Sequence, residues 1–259
     1  MELLSANFFN TTTQFSAASG QSTVVYLLNP NTRFRFYDIA TAAASPLFTV
    51  TFDNPQYVNR IALLDHNFKD FTVEYTDSQV FLTTGAFPLT TTAQTTVIDF
   101  LNNSETSHFF TGPTTLVNSI QIYVSSTSDG YDERYLGYLV ISSIRTDFEG
   151  RIPNAQNFIV KKVPTQIRHK MSNGGTRIHT LSETYESNLT LDYISETLKD
   201  TLADIYASHE EMIFVPFPTS TGWDSLAFPC IWSGDFSFNY SDNASEAGYS
   251  GSIELLGTP

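Results

Sequence analysis

Five histidines, His66, His108, His169, His179 and His209, are the side chains of this 259-residue sequence best suited to proton transfer or metal ligation. They fall in no HExxH or HxH spacing, and the single cysteine, Cys230, has no thiol partner. The sequence therefore carries no transition-metal signature and no intramolecular disulfide. Beside Ile231 and Trp232, Cys230 reads as a small buried hydrophobe. His169 and His179 flank one turn, which makes a cross-strand neighbourhood conceivable, but no third ligand accompanies them. GxSxG, GxxxxGKS/T and GxGxxG are all absent, which removes the nucleophile elbow, the phosphate loop and the dinucleotide fingerprint. Asp132-Glu133 and Glu210-Glu211 are adjacent carboxylates, and adjacent residues on a strand point to opposite faces, so they read as solvated rather than as a glycosidase pair. Ser128-Asp129-Gly130-Tyr131-Asp132-Glu133 offers the hard oxygens and glycine turn that Ca²⁺ uses, yet lacks EF-hand spacing, and an exposed acidic turn is the preferred reading. Trp223, Phe228 and Trp232 could form a sugar platform, with core or interface packing the more ordinary use. No enzyme activity and no cofactor are expected.

The elements that must carry these residues are mostly strands. Charged residues make up only 15% of the sequence against 41% hydrophobic, which argues against disorder and leaves the polar surface to 33 Thr, 27 Ser and 16 Asn. Short alternating runs at 34–39, 46–52, 58–68, 71–76, 95–101, 119–126 and 136–144, separated by Gly, Pro, Asp and Ser, predict a β-sandwich. Gly150, Pro153 and Pro164 interrupt this pattern and set a domain boundary, 1–148 against 149–259. Beyond it, 165–171 and 176–185 flank Ser172-Asn173-Gly174-Gly175, a tight-turn sequence that predicts a hairpin. Ser195 caps a helix over 195–208 whose Leu198, Leu202 (or Thr201) and Ile205 share one stripe with Ile194. Strands at 212–218, 230–241 and 247–257 complete an α+β domain, so the expected class is mainly β throughout.

Charge is distributed unevenly. The net charge is −14, which argues against nucleic-acid binding through a basic face. Residues 1–144 carry −7, residues 145–180 carry +5, and residues 181–259 carry −12 with Lys199 their one cation. Lys161, Lys162, Arg168, Lys170 and Arg177 are accordingly the candidate assembly interface, a basic hairpin set against the acidic surface of a neighbouring copy. Pairing with carboxylates of the same domain is the alternative. The N-terminus lacks a positive n-region and a long apolar stretch, and no 18 apolar residues run together, so neither a cleaved export signal nor membrane insertion is expected.

The run VNRIALLDHNFKDFTVEYTDS, followed by NSIQIYVSS and YLGYLVI, resembles the galactose-binding-like, discoidin-type jelly rolls over about residues 20–145, with His66-Asn67 at the strand-ending turn and Gly137 opening the last strand. The second half, a hairpin, a strand, one amphipathic helix and closing strands ending SDNASEAGYSGSIELLG, is similar in element order to the tail-tube-like domains of tailed-bacteriophage tube, distal-tail and hub proteins. The resemblance implies a virion structural subunit: a homo-oligomeric ring around the DNA channel of a tail or tail tip, meeting other tail proteins, with the jelly roll outward and a host-surface glycan as a possible ligand. It implies assembly in the host cytoplasm and no sequence-specific nucleic-acid contact. A stand-alone carbohydrate-binding module is the competing class.

Overall fold

The structure, a computed structural model, describes residues 1–9, 14–17, 21–28, 35–38, 46–77, 94–130, 133–148, 158–172, 174–217, 226–243 and 246–258. They form two compact units. One is discontinuous, Met1–Ala6 with Ile144–Pro216 and Ala227–Pro259; the other is Asn7–Ser143 with Phe217–Leu226. The division expected at 148/149 is thus displaced. Strand β1 (Glu2–Leu4) is a short apolar run buried along its whole length, and its sheet is that of the C-terminal half of the chain.

The second unit holds β2 (Gln14–Ala17), β3 (Phe36–Asp38), β4 (Phe48–His66), β5 (Phe68–Asp77), β6 (Gln94–Phe100), β7 (Ser107–Thr127) and β8 (Arg134–Ser142), antiparallel in the order β3-β8-β4-β7-β5-β6 with β2 on β4. The runs at 46–52 and 58–68 are one 19-residue strand. Its Pro55 lies in the register shift between Thr51 and Gln56, where no ladder donor is required. β4 pairs β7 on both sides of that bulge, while its opposite edge takes β2 along the first half and β8 along the second. Strands that change partners at a bulge fold a ladder over on itself. Phe48, Val50, Ile61 and Leu63 of β4 accordingly share one core with Val73, Ile120, Ile122, Leu136 and Ile141. A β-sandwich results. Beside it, Gln21–Leu28 forms a 3-10 helix that buries Leu27 and shows no 3.6-residue period in its sequence.

The discontinuous unit continues with β9 (Ile144–Asp147), β10 (Phe158–Lys170), β11 (Thr176–Ile194), helix α1 (Glu196–Ser208), β12 (Met212–Val215), β13 (Phe228–Trp232), β14 (Phe238–Asn243) and β15 (Glu246–Gly257). Its sheet runs β10-β11-β15-β13-β12-β1-β9, with β14 also on β15, and every pairing is antiparallel. The N-cap works as expected: Leu198 N donates to Ser195 Oγ at 3.1 Å, and the helix ends at His209 in the left-handed region. Leu198, Leu202 and Ile205 are buried, and Thr201 is not the inward residue, because its hydroxyl donates back to the Thr197 carbonyl at 2.9 Å. The single strand expected at 230–241 is two, broken at 233–237. Gly251 then lets β14 close onto β15, since a Cβ there would stand 2.4 Å from the Ser237 carbonyl oxygen.

Candidate functional site

At one end of the sandwich unit, three strand ends bring a polar and aromatic cluster together. Arg35 precedes β3, Asp65 lies near the end of β4, and Tyr135 near the start of β8. Arg35 Nε and Nη2 donate to the two Asp65 carboxylate oxygens at 2.7 and 2.9 Å, and the guanidinium lies 4.2 Å over the Tyr135 ring. Desolvation opposes the Arg35 charge, but the hydrogen-bonded Asp65 outweighs it and the pKa is raised. Burial also raises the Tyr135 phenol. Tyr37 stands 6.2 Å from Tyr135 and is 37% exposed. Asp65 holds a positive φ of 58°, tolerable for aspartate because its side chain is fixed by the fork and its N–H by Ser107 Oγ. A guanidinium locked on an aromatic face, with donors remaining, is suited to binding vicinal hydroxyls or a planar polar group.

Behind the cluster, the His66-Asn67 turn acts as a hub. Buried Asn67 donates to Asp129 and to the Glu133 carbonyl, and accepts from Tyr135 N at 3.0 Å. Asp129 is thereby engaged with protein, and no cluster of three or more potential metal ligands occurs among the described residues. Tyr131 and Asp132 lie outside the described residues. Sequence reasoning missed the partner of His66. Phe68 N donates to its Nδ1, so the proton sits on Nε2, which donates to His108 Nδ1 at 3.1 Å. The two histidines lie 42 residues apart, and only the β4–β7 register joins Leu63 with His108 and Leu64 with Ser107.

Burial, reinforced by His108, lowers the His66 pKa from 6.5 to about 3, and burial lowers His108 too, against a raising contribution from Glu105. The unfolded chain therefore takes up these protons first as pH falls. Stability from His66 is complete above pH 6.5 and is lost towards pH 3, with a slope of up to about 1.4 kcal/mol per pH unit. Melting temperatures measured from pH 7 to about pH 4 should fall, and should fall less in His66→Gln. Equal slopes in both proteins would remove His66 from the linkage.

In the discontinuous unit, β15 pairs with β11 only from Glu186 onward, so among the described residues Thr176–Tyr185 is paired with β10 alone. At about 3.3 Å per residue this makes a two-stranded arm about 33 Å long. Lys161, Lys162, Arg168, Lys170 and Arg177 are all exposed on β10 and β11, as are Ile167 and Ile178 at 41 and 54%, and Met171 just beyond the end of β10 at 41%. Lys162 Nζ lies 5.9 Å over the Tyr185 ring. Among the described residues, Arg168, Lys170 and Arg177 take part in no ion pair. The register sets His169 opposite Arg177 and His179 opposite Ile167, so the two histidines are diagonal rather than facing. Glu210 binds Arg145 at 2.9 Å and Glu211 accepts from Thr258, so the adjacent carboxylates have separate partners. Cys230 is fully buried, its thiol pushed up to about 12 by desolvation. Phe228 is buried against Tyr185 and Phe214, Trp232 is half-buried against Tyr206 and Phe236, and Trp223 lies outside the described residues.

No family model matches the sequence, and no curated protein matches it. Among solved structures, the chain is similar to CBM32-1 from a family 31 glycoside hydrolase from Clostridium perfringens, with 10% identity over 51% of this chain and 95% of that one and a TM-score of 0.32. It is also similar to CpGH89CBM32-4, produced by Clostridium perfringens, in complex with GlcNAc-α-1,4-galactose, with 11% identity over 52% of this chain and 92% of that one and a TM-score of 0.35. The sandwich assignment rests on the strand order and shared core above.

Proposed function

We propose that the chain is a non-catalytic structural subunit that assembles with copies of itself through the β10–β11 arm. The arm carries this reading. A two-stranded ribbon is marginal in water, and this one exposes isoleucine and cationic side chains on both faces. Residues 161–180 hold five cations and no carboxylate, whereas residues 181–259 carry −12, so one copy offers both halves of a head-to-tail contact. The resemblance in element order supports reading that assembly as a bacteriophage tail or tail-tip ring around the DNA channel, formed in the host cytoplasm and displaying the sandwich unit outward. Light scattering on the full chain tests assembly. A closed oligomer at about 0.15 M salt that dissociates towards about 1 M is expected, and a monomer across the accessible concentration range would overturn the proposal.

The Arg35–Asp65–Tyr135 cluster favours a second reading, in which the sandwich unit binds glycan. Galactose-containing oligosaccharides are the first probes. Arg35→Ala should weaken their binding at least about tenfold while the fold is retained, and undiminished binding in that variant would place any glycan site elsewhere.

A further inference from the structure

The sheet of the discontinuous unit has a second polar feature, away from the arm tip. On the side of β11 and β15 away from the buried Leu189, Leu191 and Ile253 lies a dish of about 390 Å³ whose lining includes Lys161, Glu186, Asn188, Ser233, Glu254 and Leu256, with Ser187 and Leu255 also bordering it. Glu186 is directly opposite Leu256 and Asn188 directly opposite Glu254, which makes the two glutamates diagonal neighbours, roughly 7–8 Å apart by sheet geometry. Among the described residues, neither glutamate side chain takes an ion pair or a hydrogen bond. Lys161 faces Glu186 across the β10–β11 ladder without joining it in an ion pair, so the dish holds two carboxylates against one cation. Neighbouring carboxylates of this kind fit a planar guanidinium, which binds carboxylate oxygens through a fork of donors.

Resting on the assembly reading above, we propose that the dish receives Arg168 from the arm of a second copy, with Ile178 of that arm packed on Leu256. Arg168 and Ile178 are a directly opposed pair on the arm, and Glu186 and Leu256 are a directly opposed pair in the dish. Both pairs thus have the same spacing, about 4.5–5.5 Å between Cβ atoms, and each couples one charge to one apolar side chain. The chain cannot make this contact with itself. Ile178, opposite Arg168, lies eight residues along β11 from Glu186, about 26 Å of extended ribbon. The contact joins two different patches, so it is head-to-tail and propagates to a ring or filament.

The test is the concentration at which the full-length assembly half-dissociates, followed by sedimentation velocity, with thermal melts to confirm folding. Arg168→Glu and Glu186→Arg should each raise that concentration by about 30-fold or more, and the two changes in one chain should restore it to within about threefold of wild type. Glu186→Gln should produce a smaller shift in the same direction and stands in if Glu186→Arg folds poorly. If Arg168→Glu weakens assembly while both Glu186 variants assemble as wild type, the arm is used but its seat is elsewhere, and the dish assignment is overturned. If both single changes weaken assembly and the double variant does not recover, the dish takes a different cation and the Arg168 pairing is overturned. A wild-type chain that never assembles overturns the assembly reading, and this proposal with it.

Discussion

Reversing Arg168, Lys170 and Arg177 to Glu in one chain is expected to yield a folded monomer under conditions where the wild type is assembled. The three changes turn residues 161–180 from +5 to −1, so an arm that attracted the acidic half of its neighbour becomes mildly repelled by it. Truncating one partner of a desolvated interfacial pair costs about 2–5 kcal/mol, and reversal adds like-charge contact to that loss. Monomer stability should barely move, because all three side chains are exposed and form no ion pair with described residues, and substitutions at such positions usually fall within about ±0.5 kcal/mol. The readout is mass by light scattering together with the melting temperature. A melt lowered by many degrees with the mass unchanged would mean that the cations serve their own subunit, and the assembly reading would lose its main support.

The arm also shows which features of the molecule the sequence disclosed. The turn Ser172-Asn173-Gly174-Gly175 and the alternation around it announce a hairpin. Nothing local announces that β15 stops pairing at Glu186 and, among the described residues, leaves the distal ribbon with only its own two strands, because that limit is set by a strand some 70 residues later in the chain. The helix was legible to its cap, since capping and a 3.6-residue stripe are properties of one contiguous segment. β1 was not, because three residues carry no measurable period and their place depends on β9 and β12. Gly112 and Pro113 similarly hid the first half of β7, whose exposure at 111, 113 and 114 tolerates residues that would break a central, fully bonded strand.

The same distinction separates the candidate sites. The basic residues of the arm could be named from charge arithmetic alone. Arg35, Asp65 and Tyr135 could not, for they meet only where three strands end, and each is unremarked in its own sequence neighbourhood. The motif that pointed nearest to them was His66-Asn67, and the structure shows why such a turn is worth fixing: Asn67 ties the β4–β5 corner to the loop ahead of β8, from which Tyr135 supports the guanidinium.

Leu202→Ala should be the most destabilising single change in the helix of the discontinuous unit. Leu202 is fully buried and sits between Leu198 and Ile205 on the one apolar stripe of α1, so truncation removes buried methyl groups and leaves a cavity that a sheet-backed helix closes only incompletely. The expected cost is about 2–5 kcal/mol, a fall of roughly 6–15 °C in the melting temperature for a cooperative unit of this size. The adjacent Thr201→Ala is the control. Thr201 is half-buried and its hydroxyl bonds back to Thr197, a contact that competes with helix geometry, so alanine there should be neutral or gain up to about 0.5 kcal/mol. Between these, Ser195→Ala removes the acceptor for Leu198 N and should cost about 1 kcal/mol. The three melts rank packing over capping over surface propensity. If Thr201→Ala proves more costly than Leu202→Ala, the helix is rotated by one residue about its axis, and the inward stripe of Leu198, Leu202 and Ile205 is wrong.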